Sequence, residues 1–339
     1  MCTGTDPGNG GMTLKRIVRC LFSVLTALIL LFEIASAGAE ETTVYKTVSE
    51  AKKVYSISEA EYLVEKPGPY FVKDAVITQA KSFNKVLSAF PKVETYVYLV
   101  TSSRTMDFDH MDEEPKTFTL IRENYPDSKV GRLMIGDIDT YCRYFYKTDH
   151  HWNFKGSYEG YKDIIRMLLG EDEPLMEPLE TVEFDVRYNG SLNKNISRRN
   201  SDEKFTVYRF EYPEMQITIN GKRKKAYGKQ DAYFAGKYNK KDAFTNHYSE
   251  FYGGDEGLIE FDTGDESKPN LILFSNSFSN AINMLIASHF HHTYVIDMRH
   301  YKDDMGSKLD LTKSIRNWDV QKVMLMGDGY FFKWGTTYR

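Results

Sequence analysis

Cysteine is scarce in this chain, and that scarcity fixes where its stability comes from. Only Cys2, Cys20 and Cys142 occur in 339 residues, and the first two lie in an amino-terminal segment expected to be removed. A single remaining thiol forms no internal disulfide, so the mature fold rests on its core. Cys142, within Tyr141-Cys142-Arg143-Tyr144-Phe145, reads as a small apolar residue of that core. Dense positive charge is rare too. Lys222-Arg223-Lys224-Lys225 is the one basic cluster, and it follows Asn220-Gly221, which marks a solvated hairpin arm. With a net charge of −4, this argues against a nucleic-acid surface. No HExxH pattern is present. The acidic stretch Asp107–Glu114 lacks the sixth-position glycine and twelfth-position glutamate of an EF-hand, and reads as a solvated loop.

The amino terminus carries the clearest compartment signal. Lys15, Arg16 and Arg19 precede an apolar run, Leu21 to Phe32, and Ala35-Ser36-Ala37 follows it. Charged start, apolar middle and small residues at −3 and −1 make a secretory signal peptide. Processing is expected near Ala37-Gly38 or Ala39-Glu40; the alternative is an uncleaved anchor, for which the run is short. The expected layout is therefore a signal peptide over 1–37, a polar lead-in over 38–75 with a turn at Pro67-Gly68-Pro69, and an α/β domain over 76–339.

Within that domain, Val76, Ala80, Phe83, Val86, Leu87 and Phe90 have helical spacing, stopped by Pro91. A buried strand, Glu94–Ser102, follows, then a helix at Thr117–Asn124 and a strand at Arg132–Ile135. Asn153 can cap a helix whose apolar face is Tyr158, Tyr161, Ile164, Ile165 and Leu168, ending at Gly170. Residues 178 to about 262 read as a β-rich insertion, with strands Val182–Tyr188, Phe205–Tyr212, Met215–Ile219 and Ala226–Phe234 broken by Asn189-Gly190 and Asn220-Gly221. The remainder alternates strand and helix: Leu271–Phe274, Ala281–Ser288, Tyr294–Ile296, Leu309–Trp318 and Val323–Met326. That rhythm implies a parallel sheet, whose sites lie at the carboxyl ends of strands. Three such ends are polar: Ser275-Asn276-Ser277, Asp297-Met298-Arg299 and Gly327-Asp328-Gly329-Tyr330.

Thr148-Asp149-His150-His151-Trp152 supplies an acid and two imidazoles just before a helix. Residues i and i+2 of an extended segment project to one side, so Asp149 can hold one nitrogen of His151 and leave the other as a base. The same alternation sends His150 to the opposite side, and Trp152 is expected to pack beside the histidine. Ser277, at the turn after an apolar strand, is the candidate nucleophile. A different reading groups Asp149, His150 and His151 with His289, His291 and His292 as ligands of a metal-dependent hydrolase.

Together, Asp149-His150-His151-Trp152, Tyr252-Gly253-Gly254-Asp255, the strand into Asn276-Ser277-Phe278-Ser279, and Asp297-Met298-Arg299 resemble the bacterial DHHW proteins. These belong with the alginate O-acetyltransferase-like branch of the SGNH hydrolase superfamily, and the resemblance covers roughly Glu94 to the end. It implies an SGNH hydrolase-like α/β/α core with a mostly parallel sheet, in circularly permuted motif order. It also implies that Asp149 orients, His151 is the base and Ser277 the nucleophile, with no cofactor and no metal. Arg299 and Tyr330 would lie near the substrate. Gly253, Gly254, Asn276, His150 and Trp152 complete the candidates for substrate or oxyanion contacts. The implied activity is an exported O-acetyltransferase or acetylesterase acting on an envelope or secreted polysaccharide, with a membrane-bound O-acyltransferase as acetyl donor. Many relatives carry Asp where this chain has Asn276, which supports a further alternative, a non-catalytic polysaccharide-binding relative. For the exported chain, amino-terminal sequencing is expected to read Gly38 or Glu40; a chain retaining its apolar run in the membrane fraction would establish the anchor instead.

Overall fold

The computed structural model describes residues 1–4, 43–67, 73–333 and 336–339. The expected signal segment lies outside the described residues, as do Gly68 and Pro69 of the expected turn. The chain divides into two units, Met1–Thr43 and Val44–Arg339, and everything below concerns the second.

Three short strands come first, β1 (Lys46–Ser49), β2 (Val54–Ser56) and β3 (Leu63–Val64), forming their own antiparallel sheet. Next are α1 (Lys73–Leu87), β4 (Glu94–Leu99), α2 (Lys116–Asn124), β5 (Lys129–Arg132), α3 (Ile138–Tyr144) and α4 (Phe154–Leu169). The middle of the chain holds β6 (Glu180–Arg187), α5 (Ser191–Asn195), β7 (Lys204–Arg209), β8 (Gln216–Ile219), β9 (Lys222–Lys224), α6 (Gln230–Phe234), α7 (His247–Tyr252) and β10 (Leu258–Asp262). The last part contains β11 (Leu271–Phe274), a 3-10 turn at Ser277–Ala281, α8 (Asn283–Ala287), β12 (His292–Ile296), α9 (Tyr301–Met305), α10 (Leu311–Asn317), β13 (Lys322–Gly327) and α11 (Gly329–Lys333).

The main sheet has eight strands in the order β5-β4-β13-β11-β12-β10-β8-β9. The first five run parallel, and the last three add on antiparallel. This is a mixed α/β protein with a mostly parallel central sheet. Its parallel strands are continuous apolar runs because both faces are covered. Tyr96, Tyr98, Leu271, Leu273, Met324 and Met326 face one layer, which includes Tyr161, Ile164 and Ile165 of α4 and Leu285 and Ile286 of α8. Val97, Leu99, Ile272, Phe274, Val323 and Leu325 face the other, with Val76, Ala80 and Phe83 of α1, Ile121 of α2 and Leu311 and Ile315 of α10. Each such side chain, fully buried, contributes about 1.5–3 kcal/mol relative to exposure.

Strand β11 lies between its two successors. The chain leaves it through α8 on one face to reach β12, then returns through α10 on the other face to β13. That reversal makes the carboxyl end of β11 a switch point, where open α/β sheets form their crevice.

Three expectations are corrected. The strand expected at Arg132–Ile135 lies three residues earlier, because β5 pairs with β4 through Tyr96–Lys129 to Leu99–Arg132. Ala226–Phe234 is not a strand: Gly228 takes φ 72° and a helix, α6, follows. The stretch 178–262 is not a self-contained β-rich insertion either, since β8, β9 and β10 extend the main sheet and only β6 and β7 pair apart from it.

Helix α4 is seated on Trp152. Asn153 caps it, accepting from Lys155 N (2.9 Å) and Gly156 N (3.2 Å), and a Cβ at Gly160 would stand 2.5 Å from the Trp152 ring. Alanine normally favours a helix over glycine by about 1 kcal/mol. At this position Gly160→Ala is nevertheless expected to lose about 1–3 kcal/mol, the cost of overpacking, read as a lower urea midpoint with an unchanged slope.

Candidate active site

Four parallel strand ends meet at the switch point: β4 runs into Thr101-Ser102-Ser103-Arg104, β13 into Asp328, β11 into Asn276-Ser277 and β12 into Asp297-Met298-Arg299. Across them lies the loop from Phe145 to Trp152, whose ends bridge to each other. The loop delivers the acid and imidazole to the strand that delivers the hydroxyl. Asp149 Oδ1 lies 2.6 Å from His151 Nδ1, and His151 Nε2 lies 2.7 Å from Ser277 Oγ. With Nδ1 donating to the carboxylate, Nε2 is left as acceptor for the serine proton, a tautomer that follows from the hydrogen-bond network.

Asp149 is held from both sides. Its Oδ1 also accepts from His151 N (3.0 Å), and its Oδ2 accepts from Ser191 N at the head of α5 (2.6 Å). Burial alone would raise this carboxyl; the two imidazoles, the His151 bond and the Ser191 amide reverse that and hold it well below the ordinary carboxylate range. A Cβ on Gly190 would stand 2.3 Å from Asp149 Cβ. Asn189-Gly190 is therefore no hairpin turn; its glycine lets α5 approach the acid. His151 is stacked on Tyr248 of α7, centroids 4.2 Å apart and planes 13° from parallel.

His150 does not turn away as alternation suggested. Its ring centroid is 3.9 Å from that of His151, and its Nδ1 is 2.7 Å from Ser191 Oγ. The loop is tightly folded rather than extended, so period-2 projection fails one residue past Asp149. Burial, then the neighbouring His151 and Arg104, hold the His150 imidazole well below its ordinary value, against the pull of Asp149.

Trp152 is fully buried and donates from Nε1 to Phe278 O (2.9 Å), while Tyr248 donates to Ser277 O (3.0 Å). Both brace the nucleophile turn. Asn276 braces it from within, its Oδ1 accepting from Phe278 N (3.3 Å) and its Nδ2 donating to Asp328 Oδ1 (3.0 Å). Arg299 is tied to Asp297, through Nε at 2.9 Å, and to Asp255 at 2.7 Å. Tyr330 lies beyond Asp328, under the guanidinium of Arg104 at 4.3 Å. Gly253, at φ 94°, ends α7 against the Tyr227 ring; Gly254 follows it, and both line a groove of about 520 Å³ with Tyr227, Asn246 and Glu250. Asp255 comes next and accepts from Asn280 of the nucleophile turn (2.9 Å).

The six-residue metal grouping does not assemble. His289 is engaged by Tyr161 (2.8 Å) and Glu173 (2.7 Å), and His291 and His292 lie where β12 begins, at the opposite end of the strands from Ser277. Both nitrogens of His151 and one of His150 are already committed at the triad. Cys142 is partly buried, its thiol pushed up to about 11 by burial.

Arg104, Ser191, Glu203 and Tyr248 escaped the sequence reading. Arg104 donates to Glu65 (2.5 Å) and Asp328 (3.2 Å); burial works against its charge, but the two carboxylates outweigh it. Polar residues at the end of a fourth parallel strand were the signal for it. Glu203 accepts from Lys147 N (2.8 Å) and Thr148 N (3.3 Å), directly before Asp149. The Thr148 hydroxyl accepts from Gly190 N (3.0 Å) and has one hydrogen for two oxygens, Tyr188 O (3.1 Å) and Glu203 Oε2 (3.2 Å). Burial, with the Asp149 charge adding to it, pushes the Glu203 carboxyl up to about 8.

Because the folded chain keeps the Glu203 proton and the unfolded chain releases it near pH 4.5, stability from this group is full below about 4.5 and lost as pH rises through about 8. Glu203→Gln keeps an acceptor for the two amides and removes the titration. Urea unfolding from pH 5 to 9 is expected to show a falling component in the wild type that the variant lacks.

No family model matches the chain, and no curated protein does. Solved structures do. A DHHW family protein from Eubacterium siraeum DSM 15702 is 17% identical with a TM-score of 0.62, covering 84% of this chain and 93% of that one. PatB1 of Bacillus cereus, solved with a sulfonyl adduct, is 17% identical with a TM-score of 0.60, covering 83% and 96%. A second PatB1 structure gives 16%, 0.61, 82% and 97%. At such identities the likeness is one of fold. With Asp149-His150-His151-Trp152 at the head of α4, the chain shares its fold with the DHHW family protein that its motifs resemble.

Proposed function

We propose that this protein is an exported serine O-acetyltransferase or acetylesterase acting on a polysaccharide of the envelope or secreted matrix, on an SGNH-type core in permuted order. The observation that carries the reading is the continuous line from Asp149 through His151 to Ser277, with bonds of 2.6 and 2.7 Å. A serine hydroxyl needs such a base to attack at neutral pH. His151 Nε2 takes the Ser277 proton as Oγ attacks an acetyl carbonyl, and Asp149, still ionised, stabilises the imidazolium. Collapse of the tetrahedral adduct expels the donor alcohol, which takes the proton back from His151. The acetyl-serine is then opened by a sugar hydroxyl or by water, deprotonated by the same imidazole. The Ser277 backbone amide supplies an oxyanion donor, worth about a hundredfold in rate; the Phe278 and Ser279 amides are given to Asn276.

Sulfonyl groups bond covalently to activated nucleophiles, so the adduct carried by PatB1 supports a nucleophile on this fold. Arg299 and Tyr330 flank the crevice as substrate contacts. The signal-peptide pattern expected over residues 1–37 supports export, and acetyl supply by a membrane-bound O-acyltransferase fits a chain that works outside the cell. Nothing in the triad separates transfer from hydrolysis; what reaches the acyl-enzyme decides it.

Incubation with p-nitrophenyl acetate, followed by peptide mass spectrometry, is expected to find a 42 Da acetyl gain, of the order set by acetyl chemistry, on Ser277. The adduct should be absent from Ser277→Ala, and oligosaccharide acceptors should shorten its lifetime. Ser277→Ala and His151→Ala are each expected to lower kcat by about a thousandfold or more; full activity in Ser277→Ala would end the proposal.

A further inference from the structure

The pair His291-His292 has no place in the triad. It lies where β12 begins, at the end of the strands opposite Ser277, and there it meets the end of antiparallel β10. The two segments are fastened together: Thr263 N donates to His291 O (3.0 Å) and Thr263 Oγ1 to Phe290 O (2.7 Å). Register sets Asp262 across from His292 and Glu260 across from Tyr294. Side chains two apart on a strand share a face, so Glu260 and Asp262 project to the side that carries His292. Asp262 is further fixed by accepting from Gly264 N (2.8 Å).

The donor atoms crowd together. One ligand atom from each of Asp262, His291 and His292 lies within 4.8 Å of the other two. His291 Nε2 is 3.9 Å from Asp262 Oδ1, and His292 Nδ1 is 3.2 Å from Glu260 Oε1. His292 Nδ1 is also buried and makes no hydrogen bond, despite that nearby oxygen. Ligands of a tetrahedral ion with bonds of about 2.0–2.2 Å stand roughly 3.3–3.5 Å apart, so small side-chain rotations bring these atoms to bonding positions. Two imidazoles with carboxylates select a zinc-class ion over magnesium or calcium.

We propose that Glu260, Asp262, His291 and His292 form a Zn²⁺ site that clamps β10 to β12, where the parallel core joins its antiparallel extension. Two carboxylates balance the ion's charge, and the two neutral imidazoles complete four ligands. The clamp is independent of the Ser277 chemistry.

The full-length protein, stripped with EDTA, would be titrated with ZnCl₂ by calorimetry and with Co²⁺ by visible absorption. Expected are one ion per chain, a micromolar Kd, tetrahedral cobalt bands, and a Tm raised by Zn²⁺ and restored by EDTA. The His291→Gln/His292→Gln double variant should bind at least about 30-fold more weakly, and Asp262→Asn, which keeps its bond to Gly264 N, about tenfold more weakly. Should the double variant fail to fold, Asp262→Asn decides, its metal-free Tm serving as the folding control. No saturable binding below about 1 mM, or a stoichiometric site that these variants leave unchanged, overturns the proposal. So does binding that only His150→Gln abolishes, which would move the ion to the Asp149 loop.

Discussion

The bond between His151 Nε2 and Ser277 Oγ joins residues 126 positions apart, and it depends on the rigidity of a loop with no regular structure of its own. That loop is held from several directions at once. Leu63 N, from β3, donates to Lys147 O (2.8 Å); Glu203 accepts from the amides of Lys147 and Thr148; Ser191 N holds Asp149; and Trp152 is anchored to Phe278 O. Each bond is worth only about 1 kcal/mol net. Their value is positional, because a displacement of about 1 Å between base and nucleophile can cost about a hundredfold in rate. The Trp152 and Tyr248 bonds end on the backbone of the nucleophile turn itself, so acid, base and serine are parts of one braced unit.

Charge around the triad is arranged to leave one interaction dominant. Arg104 is matched by Glu65 and Asp328, and Arg299 by Asp297 and Asp255. Burial pushes the Glu203 carboxyl up to about 8. Asp149 is thus the carboxylate that meets the imidazolium when His151 takes a proton, in surroundings where charges act more strongly than in water. An ionised Glu203 would place a second negative charge behind Asp149. Keeping its proton lets a carboxyl group serve as scaffold without competing for the imidazole.

Much of this was legible in the sequence where a local pattern has one physical meaning. The helical spacing from Val76 to Leu87 and from Tyr158 to Leu168, and the apolar runs at Leu271–Phe274 and Val323–Met326, correspond to elements of the fold. Asp149, His151 and Ser277 are found together because strand ends and loops of a parallel sheet converge by rule. Other features depend on partners that no local window contains. Alternation in Met215–Ile219 marks a strand but not its sheet: β8 falls within the β-rich stretch 178–262 and pairs with β10 there, but β10 in turn pairs with β12 and so joins the stretch to the main sheet. Tyr248 lies in a short helix whose sequence carries no signal of the histidine it stacks upon. Glu203 looks like any polar residue before a strand, and its role comes from Lys147 and Thr148, more than fifty positions earlier.

The segment between β9 and β10 shows why the antiparallel extension belongs to the site. An edge strand as basic as Lys222-Arg223-Lys224 discourages pairing with another chain, so the sheet can end there safely. From that protected edge the chain turns back through α6 and α7 before re-entering as β10. On the way it lays Tyr248 against His151 and closes with Asp255 on Arg299 and Asn280. The parallel half supplies serine and arginine from its strand ends, and the loop before α4 supplies acid and imidazole. The antiparallel half contributes the wall that keeps the imidazole flat against its partner. Removing that half would leave the triad's residues in the chain but nothing on one side of His151 to stop its ring from turning away from Ser277.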